Sequence, residues 1–243
     1  MGLSKNNIKL ITSLQQKKKY RQKYKLFVAE GIKVVKELLN SDLKVNQVFC
    51  TDASIAFEKD VHITNISESE LQKISSLKTP NKVLALFEIP DNNYVVVNDF
   101  TIALDEINDP GNLGTIIRLC DWFGVQNLVC SNNTVDCYNS KVVQASMGSL
   151  ARVNISYTDL VKFLENSELP KYKATMRGEN VYSSTLPKKA ILVMGNEANG
   201  ISKAVNSMIK HQLTIPRFGR LQETESLNVA TATGILLSEF RRR

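Results

Sequence analysis

Short apolar runs alternate with segments of helical periodicity from residue 102 to the end of the chain. The apolar runs that we interpret as strands are 102–107, 127–130, 153–157, 172–176, 191–194 and 213–215. The helical patterns between and after them are 115–123, 141–150, 160–164, a segment that begins at 201, and 227–240. This alternation predicts a parallel β-sheet with helices on both faces. Ligands of such sheets bind beyond the carboxyl ends of the strands, so function is sought first in the loops that follow strands.

The first 90 residues predict a smaller α/β domain. Its predicted strands are 26–29, 45–50, 61–63 and 83–89, and its predicted helices are 31–39 and 68–74. A turn-rich break follows at Pro90, Asp91, Asn92 and Asn93. We therefore predict one domain over residues 1–92 and a second over residues 95–243, and a length of 243 residues suits two domains that each bury a core.

The composition narrows the class of protein. Hydrophobic residues make up 43% of the chain and charged residues 23%, which is typical of a globular protein. No apolar stretch approaches the roughly 20 residues of a membrane helix, and the N-terminus lacks the apolar core of a signal peptide, so we expect a cytoplasmic protein. The four cysteines include no CxxC pair and there are only two histidines, which argues against a metal site.

The net charge of +7 is concentrated at the N-terminus. Eight of the 31 Lys and Arg residues lie in the basic leader, residues 1–25, which holds no acidic residue; the remaining chain therefore has 23 basic residues against 24 acidic ones. A polyanion such as RNA is the natural partner, because Lys and Arg bind phosphates and release counterions. A solvated basic helix explains the run equally well. The candidate RNA-binding residues are Lys17, Lys18, Lys19, Arg21, Lys23 and Lys25.

The first loop of interest, residues 108–114, has the sequence NDPGNLG and joins a predicted strand to a predicted helix. One Pro and two Gly predict a tight turn, which brings backbone amides and the Asn112 side chain close to a ligand. An ordinary strand-to-helix turn explains the Pro and Gly as well. Such a turn does not require Arg118 in the following helix, although an ion pair with Asp121 is an alternative use for that residue.

The second loop, residues 195–200, has the sequence GNEANG and directly follows the apolar run ILVM. Its two glycines allow the backbone to approach a flat ligand closely, and Glu197 places a carboxylate at the strand end. The loop is neither a Walker A motif nor a GxGxxG fingerprint, and a simple turn also accounts for it.

The third loop runs from Arg217 to Glu225 and leads into SLNVATATG. Ser226 is a candidate N-cap, and the small residues that follow allow close packing of a helix. A capped, well-packed helix is the simplest interpretation of this segment alone.

Together the three loops resemble the three motifs of the SpoU/TrmH family of RNA 2'-O-methyltransferases, through the stretches DPGNLGTIIR, MGNEANG and IP followed by SLNVATA. They occur in this order, and each follows a predicted strand. The N-terminal stretch FVAEGIKVVKELL is similar to the substrate-binding domain that precedes the catalytic domain in many rRNA-modifying members. The chain departs from the usual third motif in a longer stretch between IP and SLN, which contains Gln222, Glu223, Thr224 and Glu225.

This resemblance implies an α/β SPOUT domain with a C-terminal trefoil knot, S-adenosylmethionine as cofactor, and a homodimer. Arg118 matches the catalytic arginine of the family. The supporting catalytic residues implied by the motifs are Asn112, Glu197, Ser226 and Asn228. The implied cofactor-binding residues are Met194, Gly195, Asn196, Gly200, Ile215, Pro216, Leu227 and Asn228.

We therefore expect an RNA ribose 2'-O-methyltransferase, with ribosomal RNA favoured because the basic leader offers structured RNA an extra anchoring surface. The alternatives are ribose methylation of tRNA, base methylation of tRNA, a non-catalytic RNA-binding ribosome-assembly factor, and a nucleotide-dependent oxidoreductase. The presence of Asn112, Arg118 and Asn228 argues against the non-catalytic factor. Two roles stay open for Arg118: removing the ribose proton with the help of an RNA phosphate, or stabilising the developing alkoxide.

Overall fold

The computed structural model describes residues 3–59, 61–91, 99–221, 223 and 225–242. The chain divides into two compact units, one of Met1–Asn92 with Asp136–Arg152 and the other of Asn93–Val135 with Val153–Arg243. The domain limits predicted at residues 92 and 95 lie outside the described residues. The sequence pattern assigns residues 136–152 to the second domain, whereas the structure groups them with the first unit.

The elements before residue 92 are α1 (Lys5–Gln16), α2 (Lys18–Tyr24), β1 (Leu26–Glu30), α3 (Ile32–Leu39), β2 (Val45–Cys50), β3 (Ile63–Asn65), α4 (Glu68–Ile74) and β4 (Val83–Glu88). The strands form a sheet in the order β1-β4-β2-β3, in which β4 is antiparallel to both β1 and β2, and β3 is parallel to β2. Strand β3 starts two residues later than predicted, because Ile63 is the residue that pairs with Val48.

The basic leader forms the two helices α1 and α2. Helix α1 begins after Ser4, whose side chain accepts a hydrogen bond from the Asn7 N–H at 3.1 Å. Its residues Ile11 and Leu14 are buried in a hydrophobic cluster that also contains Leu26 of β1. The leader is therefore part of the hydrophobic core of its unit as well as a charged surface.

The elements from residue 99 onward are β5 (Thr101–Asp105), α5 (Pro110–Trp122), β6 (Asn127–Ser131), α6 (Ser140–Ser146), β7 (Asn154–Thr158), α7 (Leu160–Glu165), β8 (Lys171–Asn180), β9 (Ile191–Gly195), α8 (Lys203–Ser207), β10 (His211–Thr214) and α9 (Val229–Arg241). The strands form a parallel sheet in the order β10-β8-β9-β5-β6-β7. This confirms the predicted parallel sheet. Strands β5 and β6 are buried along their whole length, as expected for a sheet covered on both faces. The trefoil knot stays a prediction.

Helix α6 is shorter than the predicted helix 141–150. It ends at Met147, which has a φ of 51°, and Gly148 follows with a φ of 93° before a short 3₁₀ turn. A Cβ on Gly148 would lie 2.5 Å from Cβ of Glu37, so this close approach requires glycine. The ring of Tyr138 packs against Phe27 of β1 with 4.9 Å between centroids. These contacts explain why the segment belongs to the first unit.

Cys50, Cys120, Cys130 and Cys137 are buried thiols, and burial raises the pKa of Cys120 above its ordinary range. In the parts of the chain described above, no helix combines the length and the apolar character needed to span a membrane.

Candidate active site

The three loops singled out by the sequence follow strands β5, β9 and β10. All strands of this sheet are parallel, so their carboxyl ends lie at one edge. Strands β5 and β9 are neighbours, and Asp105 pairs with Gly195 at their ends. The Asp105 carboxylate is buried and accepts a hydrogen bond from the Ser202 N–H at 2.7 Å, which fixes the end of the second loop to the first strand.

The first loop is shorter than predicted because α5 begins at Pro110, five residues before position 115. Asp109 is its N-cap and accepts a hydrogen bond from the Asn112 N–H at 2.8 Å, while Pro110 fits the first helical position. Asn112 therefore lies in the first turn of α5. Arg118 lies in the third turn and its side chain is exposed.

Glu106 stands at the end of β5 with a φ of 58°, a left-handed conformation that is uncommon for a residue with a side chain. Its carbonyl accepts a hydrogen bond from Asn196 Nδ2 at 2.7 Å, and its N–H donates to Ser131 Oγ at 2.9 Å. Its carboxylate accepts from Asn133 Nδ2 at 2.9 Å. The strained backbone is thus held by partners on three sides, and it links the first loop to the second. The sequence pattern gave no sign of this residue.

The second loop closes on itself. Backbone hydrogen bonds run from the Asn196 N–H to the Gly200 carbonyl at 2.9 Å and back at 2.8 Å. The Asn196 side chain accepts a hydrogen bond from the Ala198 N–H at 2.8 Å. A Cβ on Gly195 would lie 2.5 Å from both the Gly200 carbonyl carbon and the Ile201 nitrogen. Backbone atoms cannot give way as a flexible side chain does, so position 195 requires glycine.

The side-chain amide of Asn112 joins all three loops. Its Nδ2 donates a hydrogen bond to Glu197 Oε1 in the second loop. Its Oδ1 accepts a hydrogen bond from Asn228 Nδ2, at the end of the third loop, at 2.8 Å. Three of the predicted catalytic residues are therefore joined in one hydrogen-bonded chain.

The N-cap of α9 is Asn228, so the prediction that Ser226 caps this helix is wrong. Asn228 Oδ1 accepts hydrogen bonds from the N–H groups of Ala230 at 3.0 Å and Thr231 at 3.2 Å, and the helix begins at Val229. Ser226 lies two residues before this turn, too early for its hydroxyl to accept these bonds, and its side chain is exposed.

A cavity of about 1130 Å³ opens beside these loops. Most of its surface is apolar. The predicted site residues in its wall are Met194, Gly195, Asn196, Glu197, Gly200, Ile215, Pro216, Ser226 and Leu227. Asn228, predicted to bind the cofactor, lies between the lining residues Leu227 and Val229 but is not itself in the wall. Asn112 and Arg118 are also not among the lining residues.

Part of the wall comes from residues that the sequence did not single out. Ala174, Thr175 and Met176 of β8 line the cavity, as does Leu236 of α9. Strand β8 lies between β10 and β9 in the sheet, so its carboxyl half faces the same cavity as their loops. The order of strands in a sheet is a long-range property, and local periodicity does not contain it.

A family model described as the SpoU rRNA Methylase family matches residues 99–238, more than half of the chain. The chain belongs to the SpoU rRNA methylase family. A second model, described as the MRM3-like substrate binding domain, matches residues 5–85. Both matches agree with the resemblance found in the sequence motifs.

Relatives and solved structures extend this result over the whole chain. The 23S rRNA (guanosine(2553)-2'-O)-methyltransferase RlmP of Bacillus subtilis is 27% identical over 231 residues, which cover 92% of each chain. A protein of Porphyromonas gingivalis assigned to the TrmH family of RNA methyltransferases is 39% identical, with a TM-score of 0.88 over 99% of this chain and 98% of that one. An AdoMet-bound rRNA methyltransferase of Sinorhizobium meliloti is 28% identical, with a TM-score of 0.84 over 100% of this chain and 97% of that one.

In this SpoU family member, Arg21 of the basic leader is buried, although it was predicted to bind RNA. This residue is only 3% exposed, and its guanidinium donates to Asp136 Oδ2 at 2.7 Å and to the Leu14 carbonyl at 2.6 Å. Its burial argues against a phosphate contact. The other predicted RNA-binding side chains, Lys17, Lys18, Lys19, Lys23 and Lys25, are exposed.

Proposed function

We propose that this protein transfers a methyl group from S-adenosylmethionine to the 2'-hydroxyl of a ribose in ribosomal RNA. The observation that carries the proposal is the hydrogen-bonded chain Glu197–Asn112–Asn228, which draws three loops together beside an apolar cavity. The proposal is further supported by the activities for which the relatives are named, which include 2'-O-methylation of 23S rRNA.

The residues of the cavity fit S-adenosylmethionine. Met194, Ile215 and Leu227 supply apolar walls of the kind that a flat heteroaromatic base needs. The loop at Gly195 leaves no room for a side chain, which permits close approach of its backbone. When bound, S-adenosylmethionine supplies an electrophilic methyl carbon on a sulfonium centre.

The first task of the chain is alignment, because methyl transfer to a ribose oxygen is an in-line displacement. We assign this task to the Asn112 amide, since it fixes the first loop to the second and third. Glu197 acts as a positioning residue. Its carboxylate accepts a hydrogen bond from the Asn112 amide. This bond holds the second loop in place, and we do not assign the ribose proton to Glu197.

The second task is handling the ribose proton, and we assign it to Arg118. Its side chain is exposed on α5, where a substrate can reach it. A guanidinium with a pKa above about 12 is a poor base by itself. Two roles fit: Arg118 deprotonates the hydroxyl with an RNA phosphate as the final proton acceptor, or its positive charge stabilises the alkoxide as it develops.

The choice of ribosomal RNA rests on the first unit. Its match to a substrate-binding domain covers residues 5–85, and exposed lysines of the basic leader lie within that range. Lysines bind phosphates without reading sequence, so they suit a large structured RNA that needs anchoring. A homodimer in the cytoplasm is the expected working form.

The proposal is tested by incubating the full protein with S-adenosylmethionine labelled in its methyl group, together with transcripts of ribosomal RNA and of tRNA. Ribose methylation is then mapped in the total RNA of a strain that lacks the protein. We expect label in a ribosomal transcript and one missing ribose methylation in the strain. Label on a tRNA ribose or on a base would replace the assignment by one of its alternatives. RNA binding without any methyl transfer would indicate a non-catalytic assembly factor.

A further inference from the structure

The loop after β10 carries an exposed aromatic residue. Phe218 is 83% exposed, although it lies in the wall of the cavity. Arg217 and Arg220 flank it, and both side chains are exposed. A large apolar side chain at the mouth of a cavity, between two cations, is a typical feature of a binding surface.

Tyr182 supports Phe218 from one side. The two ring centroids are 6.4 Å apart and the ring planes are inclined by 32°. Tyr182 is held in place by the preceding residue, because Val181 is buried and its N–H donates to the Thr214 carbonyl at the end of β10 at 3.0 Å. The pair is thus built on the sheet and not on a loop alone.

A hydrogen bond within the loop limits the positions that Phe218 can take. Arg217 Nη2 donates to the Glu225 carbonyl at 2.9 Å and so ties the start of the loop to a point just before α9. The position of Phe218 is therefore constrained by the loop as well as by its contact with Tyr182.

We propose that Phe218, backed by Tyr182, is a stacking platform for an unpaired base of the RNA substrate, close to the nucleotide whose ribose is methylated. This rests on the proposed function. Every base has a flat π-face that can stack on an aromatic ring, and unpaired bases are the part of an RNA that proteins reach most readily. Arg220 then lies where a neighbouring phosphate can bind it.

The charges around the platform favour stacking over simple phosphate attraction. Glu223 lines the same cavity as Arg220, so the described part of this loop carries both signs of charge. A second copy of the chain covering Phe218 would bury these charges as well, which is unfavourable unless they are paired. An RNA leaves them partly in water and still covers the ring.

The experiment uses the full protein and a single-stranded RNA 12-mer that contains 2-aminopurine, whose fluorescence reports stacking. The variants are Phe218→Ala, Phe218→Leu and Phe218→Trp, with Trp122→Ala as a control. Trp122 is an equally exposed aromatic at 84%, but it lies at the end of α5 and outside the cavity wall. Affinity for the 12-mer, KM for an rRNA transcript, affinity for S-adenosylmethionine and molecular mass are measured for each protein.

We expect Phe218→Ala to weaken binding of the 12-mer by about tenfold and to raise KM by a similar factor. Phe218→Leu should behave like Phe218→Ala because it keeps apolar area but lacks a π-face, and Phe218→Trp should bind like the parent protein. Affinity for S-adenosylmethionine should not change. Arg220→Ala should lower the slope of log affinity against log salt by about 0.7, as expected for one lost contact to single-stranded RNA.

Three outcomes overturn the proposal. If Phe218→Leu binds the 12-mer as tightly as the parent protein, Phe218 makes an apolar contact with the RNA and does not stack on a base. A loss of S-adenosylmethionine affinity with unchanged RNA affinity would make the loop a cover for the cofactor. A lower molecular mass of Phe218→Ala would assign the ring to an interface between two copies. If the parent protein methylates no RNA, the proposed function fails, whereas binding of the 12-mer still tests the platform separately.

Discussion

Asn228 Nδ2 donates a hydrogen bond to Asn112 Oδ1 at 2.8 Å, although 116 positions separate the two residues. The other end of the same amide, Asn228 Oδ1, caps α9. One side chain therefore fixes the start of α9 and joins it to the first turn of α5. An aspartate at position 228 would keep the cap and lose the donor, so the two roles can be separated by experiment.

We predict that Asn228→Asp lowers kcat/KM for RNA methylation by about 100-fold, since a small misplacement of a reacting group has effects of this size. Thermal stability should change little, because aspartate is as good an N-cap as asparagine. Steady-state kinetics and a thermal unfolding scan measure the two effects. Asn139→Asp is the matched control: Asn139 caps α6 by accepting a hydrogen bond from the Lys141 N–H at 2.9 Å, and it is not among the residues that line the cavity. Equal loss of activity in both variants would contradict the bridging role.

Gly195→Ala should weaken binding of S-adenosylmethionine by at least about tenfold, because a Cβ at this position would meet backbone atoms at 2.5 Å and push the second loop away. Isothermal titration calorimetry measures the affinity. Gly234→Ala is the control. Its Cβ would lie 3.4 Å from a side-chain carbon of Leu119, and alanine is the better helix former, so binding should persist. Normal affinity of Gly195→Ala would remove this loop from the cofactor site.

The strands of the parallel sheet and the turn that opens α5 were predictable because both leave local signals in the sequence. Short buried runs mark strands such as β5, and Pro and Gly mark the turn that opens α5. The hydrogen bond from Asn112 to Glu197 was not predictable, although both residues were candidates, because it depends on β5 and β9 being neighbours. The N-cap of α9 was misplaced because Ser226 and Asn228 are both good capping residues and the sequence alone does not choose between them.

Residues 136–152 show a second limit of sequence analysis. The pattern of residues 141–150 predicts a helix but does not indicate which unit covers its apolar face. The answer depends on contacts with distant residues, such as the approach of Gly148 to Glu37. In the same way, a run of basic residues does not reveal which of them is buried, and Arg21 differs from the neighbouring lysines because Asp136 is present to pair with it.

Arg21→Ala should lower the free energy of unfolding by about 3 kcal/mol, because it leaves the carboxylate of Asp136 without its buried partner. Lys19→Ala should change this value by less than about 0.5 kcal/mol, since Lys19 is exposed. Urea unfolding followed by circular dichroism measures both.

RNA binding should also distinguish the exposed lysines of the basic leader from the buried Arg21. Replacing Lys17, Lys19 and Lys23 together by Ala should lower the salt slope for binding an rRNA transcript by roughly two to three. An unchanged slope would count against the leader as an RNA contact. A lower slope for folded Arg21→Ala, measured well below its unfolding temperature, would return Arg21 to the RNA-binding set.

Arg118→Ala should reduce methyl transfer by at least about 100-fold while affinity for S-adenosylmethionine and molecular mass stay the same, because the residue is proposed to act on the ribose hydroxyl and not on the donor. Single-turnover kinetics at saturating RNA isolates this step from binding. Arg242→Ala is the matched control, since Arg242 is an exposed arginine of the same unit that pairs with Glu239 at 2.8 Å. It should keep full activity.

Arg118→Lys then distinguishes the two roles left open for the arginine. A lysine keeps the positive charge but has no planar fork, so it cannot hold an RNA phosphate and the hydroxyl at the same time. We expect it to restore little activity, which favours the role assisted by phosphate. Substantial activity of Arg118→Lys would favour stabilisation of the alkoxide by charge alone. If Arg118→Ala itself keeps most of its activity on its RNA, the arginine has no part in the chemistry, and the proton must leave through another group.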